Sequence, residues 1–249
     1  LFRSKSALVT GGGRGIGRGV VEAFVDEGAR VLTCGRGRRP EDLPAAVLWQ
    51  TADVSQAESV SGLEQRVIEE FGALSVLVNN AGVQVEKTVV ESSDDDWEQV
   101  MGVNARGVFL MSRAMIPCME EGGSIINISS ISASVADPNM ALYNASKAFV
   151  SGLTRSIAVD HGPVIRCNAI CPGWIATDMA AAGFATASDS QAAYADALAR
   201  HPVRRLGEPK DIAAIAVWLA SEDAAFATGQ CFTVDGGLTA MSPIHPALS

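Results

Sequence analysis

Short runs of apolar residues alternate with amphipathic stretches along the chain of 249 residues. The apolar runs predict strands at residues 7–10, 30–34, 46–52, 74–79, 124–128, 165–170 and 230–234. The amphipathic stretches predict helices at residues 14–27, 56–71, 143–161 and 210–220. Several strands are apolar at nearly every position, which is typical of a parallel sheet buried on both faces. The alternation therefore predicts an α/β fold: one domain, residues 1–249, with a doubly wound parallel sheet and helices on both faces.

Polar residues mark a further helix start. Ser92 or Ser93 is suited to an N-cap, and Asp94, Asp95 and Asp96 then fall in the first turn. The helix dipole favours negative charge at that end. We therefore interpret this acidic run as a helix start and not as a metal site.

Composition narrows the classes of partner. The chain has 28 acidic and 19 basic residues and a formal charge of −9, which argues against nucleic acid because phosphate binding needs surplus Lys and Arg. No uncharged apolar run reaches the ~18 residues of a membrane span, and no signal-peptide pattern opens the chain. Five cysteines without a C-x-x-C pair and three scattered histidines favour neither disulfides nor a metal. We expect a cytoplasmic protein with buried thiols and no metal, membrane or nucleic-acid partner.

A glycine-rich turn follows the first strand and opens the first helix. It reads T-G-G-G-R-G-I-G from Thr10. Glycines let the backbone approach a pyrophosphate, and the helix N-terminus offers it unpaired N–H groups and a positive dipole. In this place the turn predicts dinucleotide binding by Gly11, Arg14, Gly15, Ile16 and Gly17.

The spacing T-G-x-x-x-G-x-G, with the motifs described below, resembles the short-chain dehydrogenase/reductase family. The resemblance extends from Leu8 to about Gly237. It implies a Rossmann fold, a nicotinamide cofactor and oxidoreductase activity.

The end of the second strand bears on the choice between NAD and NADP. An NAD site commonly has an acidic residue ~20 residues after the glycines, which bonds to the ribose 2′-OH. Gly35 stands where NAD-using relatives carry this acid, and Arg36, Arg38 and Arg39 follow. In the family, basic residues at the positions of Arg14 and Arg36 imply NADP, whose 2′-phosphate suits guanidinium groups. We expect NADP(H) to be favoured, with NAD(H) as the open alternative.

Three further motifs imply contacts with the cofactor. Asp53 and Val54 resemble the family's adenine-binding pair, although such an Asp also serves as a turn or helix cap. The N-N-A-G motif implies that Asn80 lies beside the cofactor ribose. After the sixth strand, a P-G motif implies that the backbone of Ile175 holds the nicotinamide carboxamide with help from Thr177.

Tyr143 and Lys147 form a Y-x-x-x-K pair on one face of the predicted long helix. A nearby cation stabilises a phenolate, so we expect the pKa of Tyr143 to fall from ~10 towards the working pH of a general acid/base. The resemblance implies that this pair is catalytic and that Lys147 also bonds to the cofactor ribose. It further implies that Ser130 stabilises charge on the substrate oxygen. Asn104 is implied to bend its helix and to hold a water that links Lys147 to solvent.

The resemblance implies that residues 174–206 form a substrate lid. Trp174, Met179, Phe184 and Tyr194 give this segment an apolar character. Such a lining suits a small carbonyl or alcohol substrate of apolar character. The same residues would also serve to pack the lid on the core.

Two other functions stay open at this point. A 3-oxoacyl-[acyl-carrier-protein] reductase has the same motifs, and Arg106, Arg113 and Arg155 can contribute to the basic patch that docks its acidic carrier. A non-catalytic, cofactor-sensing regulator has the same fold but usually loses the catalytic Tyr or Lys, both present here. The resemblance also implies a homotetramer, in which the tail beyond Gly237 crosses a subunit boundary or frays.

Overall fold

Seven strands form one parallel sheet in the computed structural model, which describes residues 2–185 and 187–241. They are β1 (Ser6–Thr10), β2 (Arg30–Gly35), β3 (Leu48–Thr51), β4 (Leu74–Asn79), β5 (Met119–Ile128), β6 (Ile165–Pro172) and β7 (Cys231–Val234). Their order in the sheet is β3-β2-β1-β4-β5-β6-β7. The winding direction reverses between β1 and β4, and in such sheets ligands bind beyond the carboxyl ends of the strands at that point.

Helices cover both faces of the sheet. In the described residues the α-helices are α1 (Gly15–Asp26), α2 (Ala57–Phe71), α3 (Asp94–Met101), α4 (Val108–Met115), α5 (Ala141–His161), α6 (Asp178–Ala185), α7 (Ser190–Arg200) and α8 (Pro209–Ala220). One buried apolar cluster joins the sheet to α1 and α8. A second joins the opposite face to α2, α4 and α5. The predicted doubly wound parallel sheet is confirmed.

The acidic run begins a helix, as predicted. Ser93 is the N-cap of α3, and its hydroxyl accepts a hydrogen bond from the backbone N–H of Asp96. The Asp96 carboxylate accepts in return from the backbone N–H of Ser93 at 2.8 Å. This reciprocal capping box satisfies two donors that the helix leaves open.

Asparagine side chains cross-link the middle of the sheet beneath its carboxyl edge. The Asn79 amide donates to Asn127 Oδ1 at 2.8 Å and to Ser112 Oγ at 3.2 Å. The Asn127 amide donates to Thr154 Oγ1 at 2.9 Å. Since these groups are buried, the bonds fix β4, β5 and α5 relative to one another below the candidate site.

Two regions have more detail in the structure than in the sequence prediction. A π-helical turn, Gly102–Gly107, joins α3 to α4, and the lid contains the two short helices α6 and α7. No described helix combines the length and apolarity needed to cross a membrane. The C-terminal tail was expected to cross a subunit boundary or to fray. Most of it, residues 242–249, lies outside the described residues.

Candidate active site

At Gly12 and Gly17 the glycine-rich turn is packed so closely that a side chain would not fit. Gly11 and Gly15 have φ values of +69° and +56°, in the left-handed region that favours glycine. A Cβ on Gly12 would lie 2.2 Å from the Thr33 hydroxyl, and one on Gly17 would lie 2.4 Å from the Asn80 amide. Arg14 is the N-cap of α1 and makes no side-chain capping bond. The turn therefore presents bare backbone and an uncapped helix N-terminus, which fits a pyrophosphate.

Asn80 holds this turn against the end of β4. Its amide donates to the carbonyl oxygens of Thr10 at 2.9 Å and Gly11 at 3.2 Å. Its backbone N–H donates to the Thr10 hydroxyl at 3.0 Å. The described bonds of the Asn80 amide thus position the turn, and the ribose contact stays a prediction.

A tryptophan side chain fills the space beside the end of β2. A Cβ on Gly35 would lie 2.9 Å from Cη2 of Trp49 on the neighbouring strand β3. The same ring lies 3.4 Å from the place of a Cβ on Gly13 in the glycine-rich turn. An acidic side chain at position 35 would therefore have to displace the indole ring.

The four arginines around this strand end are not equivalent. The Arg39 guanidinium donates to the carbonyl oxygens of Leu43 at 3.0 Å and Pro44 at 2.8 Å, so it braces its own loop. Arg14 lies 3.5 Å from the Asp178 carboxylate, with both side chains largely exposed. The remaining two, Arg36 and Arg38, are exposed and make no side-chain hydrogen bond or ion pair within the described residues.

Asp53 serves first as a local cap. Its Oδ1 accepts from the backbone N–H of Ser55 at 2.9 Å and from the Ser55 hydroxyl at 2.7 Å. Buried Val54 packs against the π-helical turn, since a Cβ on Gly107 would lie 2.9 Å from its side chain. The turn role that the sequence left open is therefore present, and adenine binding stays a prediction.

The P-G segment that follows β6 is fixed by contacts with Gly207 and with the glycine-rich turn. Ala176 N donates to Gly207 O at 2.8 Å, so Ile175 is fixed as an isolated bridge to Gly207. The Thr177 methyl group lies 3.3 Å from the place of a Cβ on Gly15. The structure thus brings Thr177 against the glycine-rich turn and fixes the backbone of Ile175 beside Gly207, and their contacts with the nicotinamide stay a prediction.

Lys147 and Asn104 lie around one small space below the N-N-A-G motif. A Cβ on Gly82 would lie 3.7 Å from Lys147 Nζ and 3.5 Å from Asn104 Oδ1. The Lys147 ammonium is 5% exposed and donates to the Ile128 carbonyl oxygen at 2.8 Å. Burial lowers the pKa of Lys147 to about 8. Lys147 therefore carries a poorly hydrated charge that a further hydrogen-bond acceptor would stabilise.

Asn104 lies in the π-helical turn, where its side chain makes three hydrogen bonds. Its Oδ1 accepts from Val83 N at 2.9 Å, while its amide donates to Val83 O at 2.8 Å and to Ser146 Oγ at 3.0 Å. These bonds join the segment after β4 to α5 near Tyr143. The departure from a regular helix was expected at Asn104, whereas its role as a water ligand stays a prediction.

Tyr143 and Lys147 share a helix face, but the expected fall in the phenol's pKa does not occur. Lys147 Nζ lies 5.5 Å from the centroid of the Tyr143 ring. Burial of the phenol raises the pKa of Tyr143 to about 12, although a hydrogen bond with Ser130 lowers it; the charge of Asp137 raises it further. The expectation from spacing was wrong because it counted the cation and left out the loss of solvation.

Ser130 lies where the sequence placed it, at the end of β5 and against Tyr143. It is the N-cap of a short 3₁₀ turn, Ile131–Ala133, and its oxygen accepts from the backbone N–H of Ser132 at 3.1 Å. Asn104, Ser130, Tyr143 and Lys147 thus converge at the carboxyl edge of the sheet. A proton donor, a polarising hydroxyl and a cation are together there, which suits chemistry at a carbonyl or alcohol oxygen.

Aromatic side chains of the lid pack on one another. The ring centroids of Trp174 and Phe184 are 4.9 Å apart, and those of Phe184 and Tyr194 are 5.5 Å apart. Met179 and Tyr194 remain exposed. Packing of the lid, the alternative to substrate binding, therefore accounts for Trp174 and Phe184 among the four apolar residues of this segment.

Three of the five cysteine thiols are buried. Cys34, Cys167 and Cys171 are buried, and burial raises the pKa of Cys34 to about 11 and that of Cys167 to about 12. Cys118 is partly exposed and Cys231 is exposed, so the expectation of buried thiols was wrong for these two. Within residues 2–185 and 187–241, no group of three His, Cys, Asp or Glu side chains is arranged to hold a metal ion.

Two features of the site were missed by sequence reasoning. Trp49 was interpreted only as part of a strand, although its place beside Gly35 follows from the pairing of β2 with β3. Ser132 and Asp137, which continue the hydrogen bonds of Ser130, were not singled out. Ser132 and Asp137 could have been noticed as polar residues in the segment between Ser130 and Tyr143.

Comparisons with known proteins show which proteins this chain resembles. A family model described as enoyl-(acyl carrier protein) reductase matches residues 11–239. An NADP-dependent (R)-specific alcohol dehydrogenase of Lentilactobacillus kefiri is 37% identical over 96% of this chain and 98% of that protein. A 3-oxoacyl-[acyl-carrier-protein] reductase of Thermotoga maritima is 34% identical over 95% of this chain and 98% of that protein. The ligand-free structure of an aldohexose dehydrogenase of Thermoplasma acidophilum matches with a TM-score of 0.92 and 37% identity, covering 98% of this chain and 97% of that one.

Proposed function

Because the chain belongs to the short-chain dehydrogenase/reductase family and is an oxidoreductase acting on CH–OH groups, we propose that it interconverts a secondary alcohol and a ketone with Tyr143 as the general acid/base. The observation that carries this proposal is the meeting of Ser130, Tyr143 and Lys147 at the carboxyl edge of the sheet, beside the glycine-rich turn. When bound, the family's nicotinamide cofactor supplies or accepts the hydride. The protein contributes position, charge and a proton.

The cofactor is held by the glycine-rich turn and the loops that close over it. Gly11, Gly15, Ile16 and Gly17 present the backbone and the α1 N-terminus to the pyrophosphate. Asp53, Val54 and Asn80 border the adenosine half. Ile175 and Thr177 border the nicotinamide half. Lys147 would bond to the nicotinamide ribose with the donors that remain after its bond to Ile128 O.

NADP(H) is the favoured cofactor. The Trp49 ring excludes an acidic side chain at Gly35, while Arg36 and Arg38 are exposed and unpaired within the described residues. A 2′-phosphate would give these guanidinium groups the charge-assisted partner that they lack. Arg14 can join them by leaving its exposed contact with Asp178, whereas Arg39 is committed to its own loop.

The raised pKa of Tyr143 suits the acid role in carbonyl reduction. A phenol with a pKa of about 12 is fully protonated at neutral pH and is ready to donate to an alkoxide as it forms. Ser130 polarises the same oxygen when its hydroxyl turns from Ser132 towards the substrate. Lys147 faces the phenol ring and stabilises the phenolate that is left. Alcohol oxidation uses the same groups in reverse, with Tyr143 as the base.

The substrate is a small carbonyl or alcohol of apolar character, bound beneath the lid at residues 174–206. Trp174, Phe184 and Tyr194 supply aromatic surface there. The alternative, a 3-oxoacyl-[acyl-carrier-protein] reductase, is supported by the motifs but less well by the basic patch that would dock its carrier protein. Two arginines of the supposed docking patch are engaged, since Arg106 donates to the Ser55 carbonyl oxygen and Arg113 lies over the Phe109 ring.

The proposal extends to the state of the protein in the cell. Residues 1–249 act as one cytoplasmic domain that assembles into a homotetramer. Exposed aromatic side chains on α3, α4 and α5 support assembly, because Trp97, Phe109 and Phe149 are each more than 40% exposed. Neighbouring copies would bury this surface.

A panel of ketones and secondary alcohols, run with each of NADPH, NADH, NADP⁺ and NAD⁺, tests the proposal. Turnover is followed by the absorbance of the reduced nicotinamide. We expect reduction of apolar ketones with a preference for NADPH. Binding of the cofactor with no turnover of any panel member would contradict the proposal and favour the regulator.

A further inference from the structure

A chain of hydrogen bonds runs from the catalytic serine to a carboxylate in the turn after β5. The Ser130 hydroxyl donates to Ser132 Oγ at 3.0 Å, and the Ser132 hydroxyl donates to Asp137 Oδ2 at 2.7 Å. The backbone N–H of Ser132 donates back to Ser130 Oγ at 3.1 Å. These residues form the serine–aspartate relay, defined as Ser130, Ser132 and Asp137.

The relay is rigidly placed beside the general acid/base. Ser130 and Ser132 are both buried, and Asp137 is partly exposed. The backbone carbonyl of Asp137 accepts from the amide of Asn144, the residue after Tyr143 on α5, at 3.1 Å. This bond ties the carboxylate end of the relay to the helix that carries the phenol.

Proton counting fixes the direction of every bond in the relay. An ionised carboxylate only accepts, so Ser132 must spend its one proton on Asp137. The Ser132 oxygen then accepts the one proton of Ser130, which leaves Ser130 with lone pairs towards Tyr143. In this state the phenol donates to Ser130. A phenolate would gain a hydrogen bond from Ser130 only after Ser130 turned away from Ser132.

Among the described residues, charged and titratable groups near the phenol come from its own helix, the preceding loop and β6. Lys147 lies on the same helix, Asp137 lies on the preceding loop, and the Cys171 thiol on β6 lies near Lys147. Lys147 favours the phenolate, whereas the charge of Asp137 opposes it and raises the pKa of Tyr143. A hydrogen bond from Ser130 would lower the pKa of Tyr143, and the relay restricts that bond by holding the Ser130 proton on Ser132. The restriction by the relay and the charge of Asp137 therefore both oppose ionisation of the phenol.

We propose that Ser132 and Asp137 are positioning residues that set the direction of the Ser130 hydrogen bond and hold Tyr143 protonated, so that the phenol stays a proton donor for carbonyl reduction up to a higher pH. This inference rests on the proposed function for its effect on catalysis. Its effect on the ionisation of Tyr143 is independent of any substrate.

Direct titration of the phenol tests the proposal without turnover. The chain has only two tyrosines, so Tyr194→Phe leaves Tyr143 as the single tyrosine. Near-ultraviolet absorbance of tyrosinate, with circular dichroism to verify folding at each pH, then reports Tyr143 alone. In this background, Asp137→Asn keeps an acceptor for Ser132 but removes the charge. Ser132→Ala releases the Ser130 proton for the phenolate.

Both variants should shift the titration of Tyr143 to lower pH, by about half a pH unit or more for Asp137→Asn. The double variant should shift it by less than the sum of the single shifts, because the residues act as one unit. Ser134→Ala, an exposed serine of the same turn, is the matched control and should cause no shift. Titration of the Asp137→Asn and Ser132→Ala proteins at the pH of their parent would overturn the proposal.

The catalytic consequence has its own readout. In Asp137→Asn, the pH profile of kcat for alcohol oxidation should move to lower pH, and kcat for carbonyl reduction should begin its decline at lower pH. The Kd of the cofactor, measured by calorimetry, should stay unchanged. Unmoved pH profiles would overturn the link between the relay and catalysis. If the panel of substrates shows no turnover but the tyrosinate titration shifts, the proposed function fails while the positioning of Tyr143 stands.

Discussion

Gly35→Asp is the substitution that would create the acidic residue of an NAD site, and we expect it to fail on steric grounds. Carbon atoms in contact prefer about 3.5–4.0 Å. The new Cβ would lie 2.9 Å from Cη2 and 3.4 Å from Cζ2 of Trp49, whose ring packs against the core of the α1 face. The ring or the strand must therefore yield by several tenths of an ångström. Overpacking of this kind costs ~1–3 kcal/mol in the free energy of unfolding.

Removing the Trp49 ring should make Gly35→Asp tolerable. We expect Gly35→Asp alone to lose this stability without gaining affinity for NAD⁺. In the Trp49→Leu background, the same change should be tolerated and should raise the affinity for NAD⁺. Urea unfolding followed by circular dichroism measures the first effect. Calorimetric Kd values for NAD⁺ and NADP⁺ measure the second.

Gly37→Asp is the matched control, because it adds the same charge two residues along the chain, where a Cβ meets nothing within 4 Å. It should weaken NADP⁺ binding by repelling the 2′-phosphate but should leave stability unchanged. The steric argument is wrong if Gly35→Asp unfolds at the same urea concentration as Gly37→Asp. It is also wrong if the single Gly35→Asp variant already prefers NAD⁺.

Three further predictions concern stability and can be measured by urea unfolding. Burial lowers the pKa of Lys147 to about 8, whereas the pKa of an unfolded lysine is ~10.4. Between these two pH values the unfolded chain binds more protons than the folded one. The free energy of unfolding should therefore decrease as pH falls through this window. Lys147→Met should accordingly raise the unfolding free energy at neutral pH by ~1–3 kcal/mol while abolishing turnover; an unchanged value would contradict the burial cost. Ser93→Ala breaks the capping box with Asp96 and should cost ~1 kcal/mol, and no loss would mean that the cap is idle. Gly152→Ala, inside α5 with nothing within 4 Å of the new Cβ, should stabilise by ~0.5–1 kcal/mol, and a loss would mean that this face is packed.

The parallel sheet was predictable because its strands are read from local apolar runs. β4 is the clearest case: all six of its residues are buried, and the predicted bounds of 74–79 are those observed. The π-helical turn was not predictable from local pattern, because it forms where Asn104 bonds to the backbone of Val83, a residue far away in sequence. Contacts of that kind depend on the assembled fold.

The candidate site divides in the same way. The glycine-rich turn and the Y-x-x-x-K pair have fixed spacings, and the structure has the left-handed Gly11 just after β1 and Tyr143 and Lys147 together on α5. The ionisation of Tyr143 was wrongly predicted, since spacing reports a nearby cation but not the degree of burial. The engagement of Arg39 with its own loop depends on the path of that loop, which no spacing in the sequence reveals.

The central claim is that Tyr143 exchanges the proton with the substrate oxygen while the rest of the site binds the cofactor. The most direct test compares Tyr143→Phe with Tyr194→Phe, the change at the other tyrosine, on one ketone reduced with NADPH. Calorimetry of NADP⁺ binding is measured on the same preparations. We predict that Tyr143→Phe binds NADP⁺ as the unmodified protein does but loses turnover by a factor of about 10² or more, while Tyr194→Phe stays active. Turnover by Tyr143→Phe within about tenfold of the unmodified protein would contradict the account.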